Sequence, residues 1–271
     1  MPRLPTHTPS PDRPTLTPGL RRLWRVGGSV VTGLLLLYGT AQVAGALAHE
    51  EETVVTRYDA AGISRLEVHN DTGRVRVLGA DADEIVVTAE VSEGLRPTGH
   101  HEEVDGDTLE VRGSCPVLFS EWCGVEYTIE VPADLNVVVR GDTTLTASDL
   151  AGDVDLSTDN GRIEAARVTG DLRMESDNGR VVGTDLTSGG VDAGTSNGRV
   201  ELSFTEPPRA VTATSDNGSI EVVVPEEPDV PYRVDADSDN GSVSTLVDTD
   251  RDSQRTITAL TDNGSVTIRH P

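Results

Sequence analysis

Ser215-Asp216-Asn217-Gly218-Ser219-Ile220 is one of six near-copies of a single phrase in this chain. The others begin at Thr158, Ser176, Thr195, Ser238 and Thr261 and centre on Asn160-Gly161, Asn178-Gly179, Asn197-Gly198, Asn240-Gly241 and Asn263-Gly264. Successive asparagines stand 18, 19, 20, 23 and 23 residues apart, a period that belongs to stacked repeats rather than to scattered turns.

Aligning the copies on Asn-Gly produces columns of constant chemistry. Six residues before each Asn stand Val154, Leu172, Val191, Val211, Val234 and Ile257, and four before it Leu156, Met174, Ala193, Ala213, Ala236 and Ala259. Two before it come Thr158, Ser176, Thr195, Ser215, Ser238 and Thr261; three after it come Ile163, Val181, Val200, Ile220, Val243 and Val266. Residues two apart share one face of a strand, so these columns face a core. The same parity turns the Asn column inward as an amide ladder, with the following Gly supplying a left-handed backbone at the corner. Asn-Gly hairpins in an antiparallel meander are the competing reading. Hairpins need only the turn residues, whereas here the columns before the turn match too, which favours parallel rungs about 4.8 Å apart.

The register recurs upstream. Leu66 to Val75 repeats it with Thr72 in the Asn column, and Val138 to Leu145 is a fainter copy with Asp142 there. Alternation and β-branched content predict strands over 63–69, 73–78, 84–92, 107–112, 125–131 and 134–140. The expected fold class is all-β, a parallel solenoid preceded by one transmembrane helix. Its expected parts are a proline-rich tail (1–20), a membrane anchor (21–48), irregular first rungs with a cap (49–150) and the regular array (151–271).

Composition agrees with many short strands. Phe, Tyr and Trp total only 8 of 271 residues, and no lysine occurs. Residues 1–48 carry five Arg and one Asp, whereas residues 49–271 carry 17 Arg against 45 acids. So acidic a domain repels nucleic acid and favours cations or a cationic surface protein as partner; solubility alone would also explain the charge. Val26 to Ala48 is uncharged and long enough to span a bilayer, with Arg21, Arg22 and Arg25 before it and Glu50, Glu51 and Glu52 after it. Positive residues stay inside, so the C-terminal domain is expected outside the membrane. A cleaved signal peptide ending at Ala46-Leu47-Ala48 is the alternative, and it exports the same domain. In an oxidising compartment Cys115 and Cys123 are expected to close a small loop whose Val117, Leu118, Phe119 and Trp122 cap one end of the stack.

These features resemble the "putative adhesin" β-strand-repeat family, a domain family of unknown function, in its single-pass form from high-GC bacteria. The resemblance rests on the S/T-D-N-G-x-I/V phrases, on Asp59-Ala60-Ala61-Gly62-Ile63 with Leu66-Glu67-Val68, and on the Cys115 to Cys123 segment leading into Tyr127-Thr128-Ile129-Glu130-Val131-Pro132. It covers residues 53 to 271 and implies a right-handed β-helix-like domain at the cell surface. It supplies no catalytic or ligand residues.

The column before Asn reads Asp159, Asp177, Ser196, Asp216, Asp239 and Asp262 and turns outward. The column after Gly offsets it with Arg162, Arg180 and Arg199, then lapses to Ser219, Ser242 and Ser265. Asp216, Asp239 and Asp262 therefore form a candidate stripe for a weakly bound divalent cation, with solvated turn aspartates as the plainer alternative. His100-His101-Glu102-Glu103 has ligand chemistry without a visible partner cluster and is expected in a solvated loop. Sugar-active β-helices set paired carboxylates beside aromatics, yet residues 150–271 hold only Phe204 and Tyr232. The expected role is a non-enzymatic, adhesin-like interaction module without a cofactor. An extracytoplasmic ligand sensor is the alternative, and a polysaccharide-active enzyme the weaker third.

Overall fold

The computed structural model describes residues 50–93, 98–115 and 123–271, together with Thr32 and Tyr38. Ala48–Pro271 form one compact unit. The expected membrane segment 26–48 lies outside the described residues, apart from Thr32 and Tyr38, and so do residues 116–122 of the expected cap. Among the described residues no helix is long and apolar enough to cross a membrane.

The unit is built entirely of short strands. It opens with β1 (Glu50–Asp59), then β2 (Arg65–Asn70) and β3 (Val75–Ala80), β4 (Glu84–Glu93), β5 (Gly99–Asp105), β6 (Thr108–Ser114) and β7 (Gly124–Pro132). From there each rung contributes one strand to each of two sheets: β8 (Asn136–Gly141) with β9 (Leu145–Ser148), β10 (Val154–Thr158) with β11 (Ile163–Ala166), and β12 (Leu172–Ser176) with β13 (Val181–Leu186). The series continues with β14 (Gly190–Asn197) and β15 (Val200–Phe204), β16 (Ala210–Asn217) and β17 (Ile220–Val223), β18 (Arg233–Asn240) and β19 (Val243–Leu246), and β20 (Thr256–Asn263) and β21 (Val266–Arg269).

Every pairing between repeat rungs is parallel, which excludes the antiparallel meander. Val154 pairs with Leu172, Leu172 with Val191, Val191 with Val211, and Ile163 with Val181, as the columns require. The core lies between the two sheets, where the inward Val, Ile, Leu and Ala of the inner rungs are 0–6% exposed. Among the described residues antiparallel pairing is confined to the N-terminal end, where β1 pairs with β4, β4 with β7, and β5 with β6.

The rungs do not stack in chain order at either end. The sheet orders are β1-β4-β7-β3-β9-β11-β13-β15-β17-β21-β19 and β18-β20-β16-β14-β12-β10-β8-β2-β6-β5. Thus β2 and β3 lie between the β6/β7 and β8/β9 rungs, and the last rung of the chain, β20/β21, slides between β16/β17 and β18/β19. Arg255 secures that insertion. Its guanidinium donates to the Pro207 and Pro208 carbonyls (2.7 and 3.0 Å), and Thr256 N–H donates to Arg209 O (2.9 Å), pinning the start of β20 beside β16.

Two expected details change. The faint upstream rung runs one residue differently before its turn: Val137 and Val139, not Val138, pair with Val154 and Leu156, while Leu145 still pairs with Ile163. The turn at Asp142 is one residue shorter and absorbs the difference. His100 to Glu103 lie on strand β5 rather than in a loop, because β6 supplies an antiparallel partner from Gly99↔Ser114 to Asp105↔Thr108.

Candidate functional site

The Asn-Gly corner carries two parallel ladders. Asn160 Nδ2 donates to Asp142 Oδ1 at 2.9 Å, and Asn178, Asn197, Asn217, Asn263 and Asn240 follow in spatial order, each donating to the carbonyl of the one before at 3.0–3.1 Å. A carboxylate only accepts, so Asp142 sets the direction of the whole row. In the second ladder the Ser/Thr hydroxyls donate to turn carbonyls of the adjacent rung: Ser176 to Gly161 O (3.1 Å), Thr195 to Gly179 O (3.0 Å), Ser215 to Gly198 O (3.0 Å), Thr261 to Gly218 O (2.9 Å) and Ser238 to Gly264 O (2.7 Å).

The expected geometry of this corner is corrected in two respects. The six asparagines are exposed, because the chain leaves strand alternation at the turn; the buried polar column is the Ser/Thr one. None of the six glycines adopts a left-handed backbone. They are required by close approach instead: a Cβ on Gly161, Gly179, Gly198, Gly218, Gly241 or Gly264 would sit 1.6–2.1 Å from a carbonyl oxygen of the adjacent turn. Positive φ occurs at the opposite corner, at Asp149 (62°), Arg167 (54°) and Asp185 (51°). There the Arg167 guanidinium grips Asp149 with two bonds (2.6 and 2.7 Å) and holds that carboxyl below its usual range.

Asp216, Asp262 and Asp239 do line up, in that spatial order, on exposed positions of adjacent rungs. They form an open row: among the described residues no group of three or more His, Cys, Asp or Glu is placed to hold a metal ion. The arginine column does not neutralise the aspartates. Arg162 pairs with Glu164 (2.8 Å) and Arg199 with Glu201 (3.2 Å), each two residues along the chain, and Arg180 reaches Glu201 from the adjacent rung (3.9 Å).

Cys115 and Cys123 are joined in a disulfide. Beside it lies a polar network that sequence reasoning missed. His100 and Glu102 point from β5 into the end of the core, with side chains 17% and 7% exposed. Tyr58 Oη donates to Glu102 Oε2 (2.6 Å), His100 Nε2 lies 2.9 Å from Glu102 Oε1, and His100 Nδ1 contacts Tyr127 Oη (2.9 Å). Glu102 Oε1 is buried and, among the described residues, has no hydrogen-bond partner besides that ion-pair contact. Burial, reinforced by the hydrogen bond and charge of Glu102, pushes the Tyr58 hydroxyl up to about 12, and burial with the Glu102 charge raises Tyr127. The period-two spacing His100-x-Glu102-x-Val104 was the available signal.

The outer face of the ten-stranded sheet presents a broad concavity of about 540 Å³, bordered by Arg65, Asn136, Asp153, Asp171, Arg173 and Asp192. Beside it Arg140 spans Glu67 and Asp155 (3.5 Å each), and on its lining Arg173 spans Asp192 (2.7 Å) and Glu175 (2.8 Å). Successive strands place Asp155, Arg173 and Asp192 directly side by side, since Glu67, Val138, Asp155, Arg173, Asp192 and Thr212 share one register row.

The chain is similar to several solved structures. One is a "putative adhesin" from Bacteroides fragilis NCTC 9343 (14% identity over 81% of this chain and 97% of that one, TM-score 0.42). A "putative cell adhesion protein" from Clostridium sporogenes ATCC 15579 shares 13% identity over 82% of this chain and 100% of that one, with TM-score 0.39. A "putative adhesin" from Parabacteroides distasonis ATCC 8503 shares 12% over 81% and 97%, also with TM-score 0.39. No curated protein matches. Residues 133–269, half of the chain and all of its regular rungs, match the family described as Toastrack DUF4097, and the chain belongs to that family.

Proposed function

We propose that this chain is a non-enzymatic, adhesin-like interaction module, displayed outside the cell on a right-handed parallel solenoid and held to the membrane through residues 26–48. The observation that carries the reading is the charged outer face of the ten-stranded sheet. Small-molecule sites enclose their ligand in a deep pocket with a few convergent polar groups. Here the concavity is wide and open, and Arg173 within it and Arg140 beside it each join two carboxylates along the sheet. A laminated surface of that kind is suited to a second macromolecular surface. The ladders at the corner keep the rungs in register, so the outward side chains hold fixed spacings, the condition for a rigid binding face.

The test is attachment of intact cells with and without the chain, to the same surface. Attachment should fall when the chain is removed and should fall again when Arg173→Glu inverts the centre of the charged face. Attachment that does not depend on the chain would sink the reading.

A further inference from the structure

Four inward columns run the length of the repeats, and all four break at the same rung. Val211, Ile257, Ala213, Ala259, Ile220 and Val266 are buried, whereas their counterparts Val234, Ala236 and Val243 on β18 and β19 are not, and Ser238 alone of the hydroxyl column is uncovered. Val243 is 43% exposed, against 0% for its partner Val266 one rung inward. β18 and β19 are the terminal strands of their sheets at the same end, so the core is open there. The opposite end is plugged by the Tyr58–Glu102–His100–Tyr127 network.

Three further observations describe what the open end lacks. The first is backbone partners. Within the stack the N–H of an inward residue donates to the next rung, as Val154 does to Asp171 O (2.9 Å), while Arg233 N–H on β18 donates back to Arg255 O (2.8 Å). By that alternation the N–H groups of Val234, Ala236 and Ser238 face off the end. The second is a side-chain vacancy: Tyr232 is buried, yet its hydroxyl has no partner, and it borders a hollow of about 420 Å³ with Val234, Ala236 and Thr245. The third is charge. Asp235, Asp237 and Asp239 alternate along β18, Asp248, Asp250 and Asp252 sit in the neighbouring loop, and Arg233 and Arg251 offset them only in part. The amide ladder also ends here, with Asn240 Oδ1 given no donor among the described residues.

We propose that the β18 edge accepts an extended strand from a partner protein, in which Arg or Lys alternates with small aliphatic residues. This rests on the reading of the chain as an interaction module and names where and what it binds. The guest's aliphatic side would cover Val234 and Ala236 and continue the core. Its cations would stand beside Asp235 and Asp237 at the roughly 5 Å spacing of cross-strand neighbours and donate to Asn240 Oδ1. A second copy of this chain fits worse, because it would set one acidic edge against another, and like charges directly opposite are destabilising.

The probe is a labelled peptide as long as β18, 8 residues, alternating Arg and Val, titrated onto the full chain in detergent and followed by fluorescence anisotropy. A Glu/Val peptide is the control. The Arg/Val peptide should bind and the Glu/Val peptide should not. Asp235→Asn with Asp237→Asn should weaken binding about tenfold. Ala236→Pro removes an outward N–H without breaking an internal bond and should abolish binding while circular dichroism stays unchanged. No binding of the Arg/Val peptide, or equal binding by Ala236→Pro, overturns the proposal. So does a dimer in sedimentation that Ala236→Pro dissolves, since the occupant is then a second copy. Cell attachment separates the two readings. If it depends on the chain but the folded chain ignores the peptide, only the edge proposal fails; if it never depended on the chain, the module reading fails whatever the peptide does.

Discussion

Gly218→Ala tests why glycine recurs at the corner. A Cβ there would lie 1.6 Å from Gly198 O, where ordinary contact starts at 3.4 Å, so the two turns must part by about 1.8 Å. Three bonds cross that gap: Asn217 Nδ2 to Asn197 Oδ1 (3.1 Å), Ser215 Oγ to Gly198 O (3.0 Å) and Gly198 N–H to Asn217 O (3.2 Å). Stretched by that amount they no longer qualify as hydrogen bonds. At about 1 kcal/mol net each the loss is about 3 kcal/mol. Alanine returns about 0.4–1 kcal/mol by restricting the unfolded chain, which leaves a destabilisation of about 2–3 kcal/mol. For a unit of this size that lowers Tm by about 4–12 °C. Thermal unfolding of the full chain by circular dichroism reads it, with Gly124→Ala as the control, since a Cβ there meets nothing within 4 Å and Gly124 has no left-handed φ. Equal melting temperatures for the two variants would refute the close-approach argument.

The remaining predictions address the ladder, the rung order, the buried tyrosines and the disulfide. Asn178→Ala removes one ladder bond on each side and should cost about 1–2 kcal/mol in urea unfolding, more than Asn240→Ala at the open end. Because Asp262 stands between Asp216 and Asp239, Asp262→Asn relieves two repulsions and should raise Tm more than Asp239→Asn; chain-order stacking would reverse that ranking. Tyr58, Tyr127 and Tyr232 keep their protons in the folded state beyond the ordinary 10.0, so the unfolded chain deprotonates first and stability should fall as pH rises past that value. Spectrophotometric titration should accordingly show these three tyrosines ionising late, and Glu102→Gln should bring Tyr58 down. Reducing Cys115–Cys123 should speed amide exchange in β5, β6 and β7 and leave the β16–β20 pairing unaffected; a uniform change along the stack would contradict that locality.

Much of the architecture was legible because its information is local. A side chain two residues from another shares its face, so Val154, Leu156, Thr158 and Ile163 reveal their inward direction without any knowledge of their neighbours. Stacking then repeats that choice, which is why Leu66 to Val75 could be recognised 88 residues upstream of Val154 to Ile163. Where alternation lapses the reading failed. At the turn, Asp and Asn are both exposed in succession, and parity wrongly sent Asn inward. His100 and Glu102 read as solvated because adjacent strand residues point to opposite faces and no partner cluster is visible in the sequence. It is the β6 partner that makes β5 a strand, and Tyr58 and Tyr127, 42 and 27 residues from His100, that give those groups buried company.

The repeat phrases by themselves determined the parallel rungs, their register, the hydroxyl column and the identity of the core. They could not determine which rung lies beside which. Columns of matching chemistry make rungs interchangeable: β20 fits against β16 as well as β18 would, with Val211 facing Ile257 in place of Val234. The order was settled by contacts between distant loops, Arg255 on the Pro207 and Pro208 carbonyls above all. That choice of neighbour is also what leaves the acidic β18 at the open end.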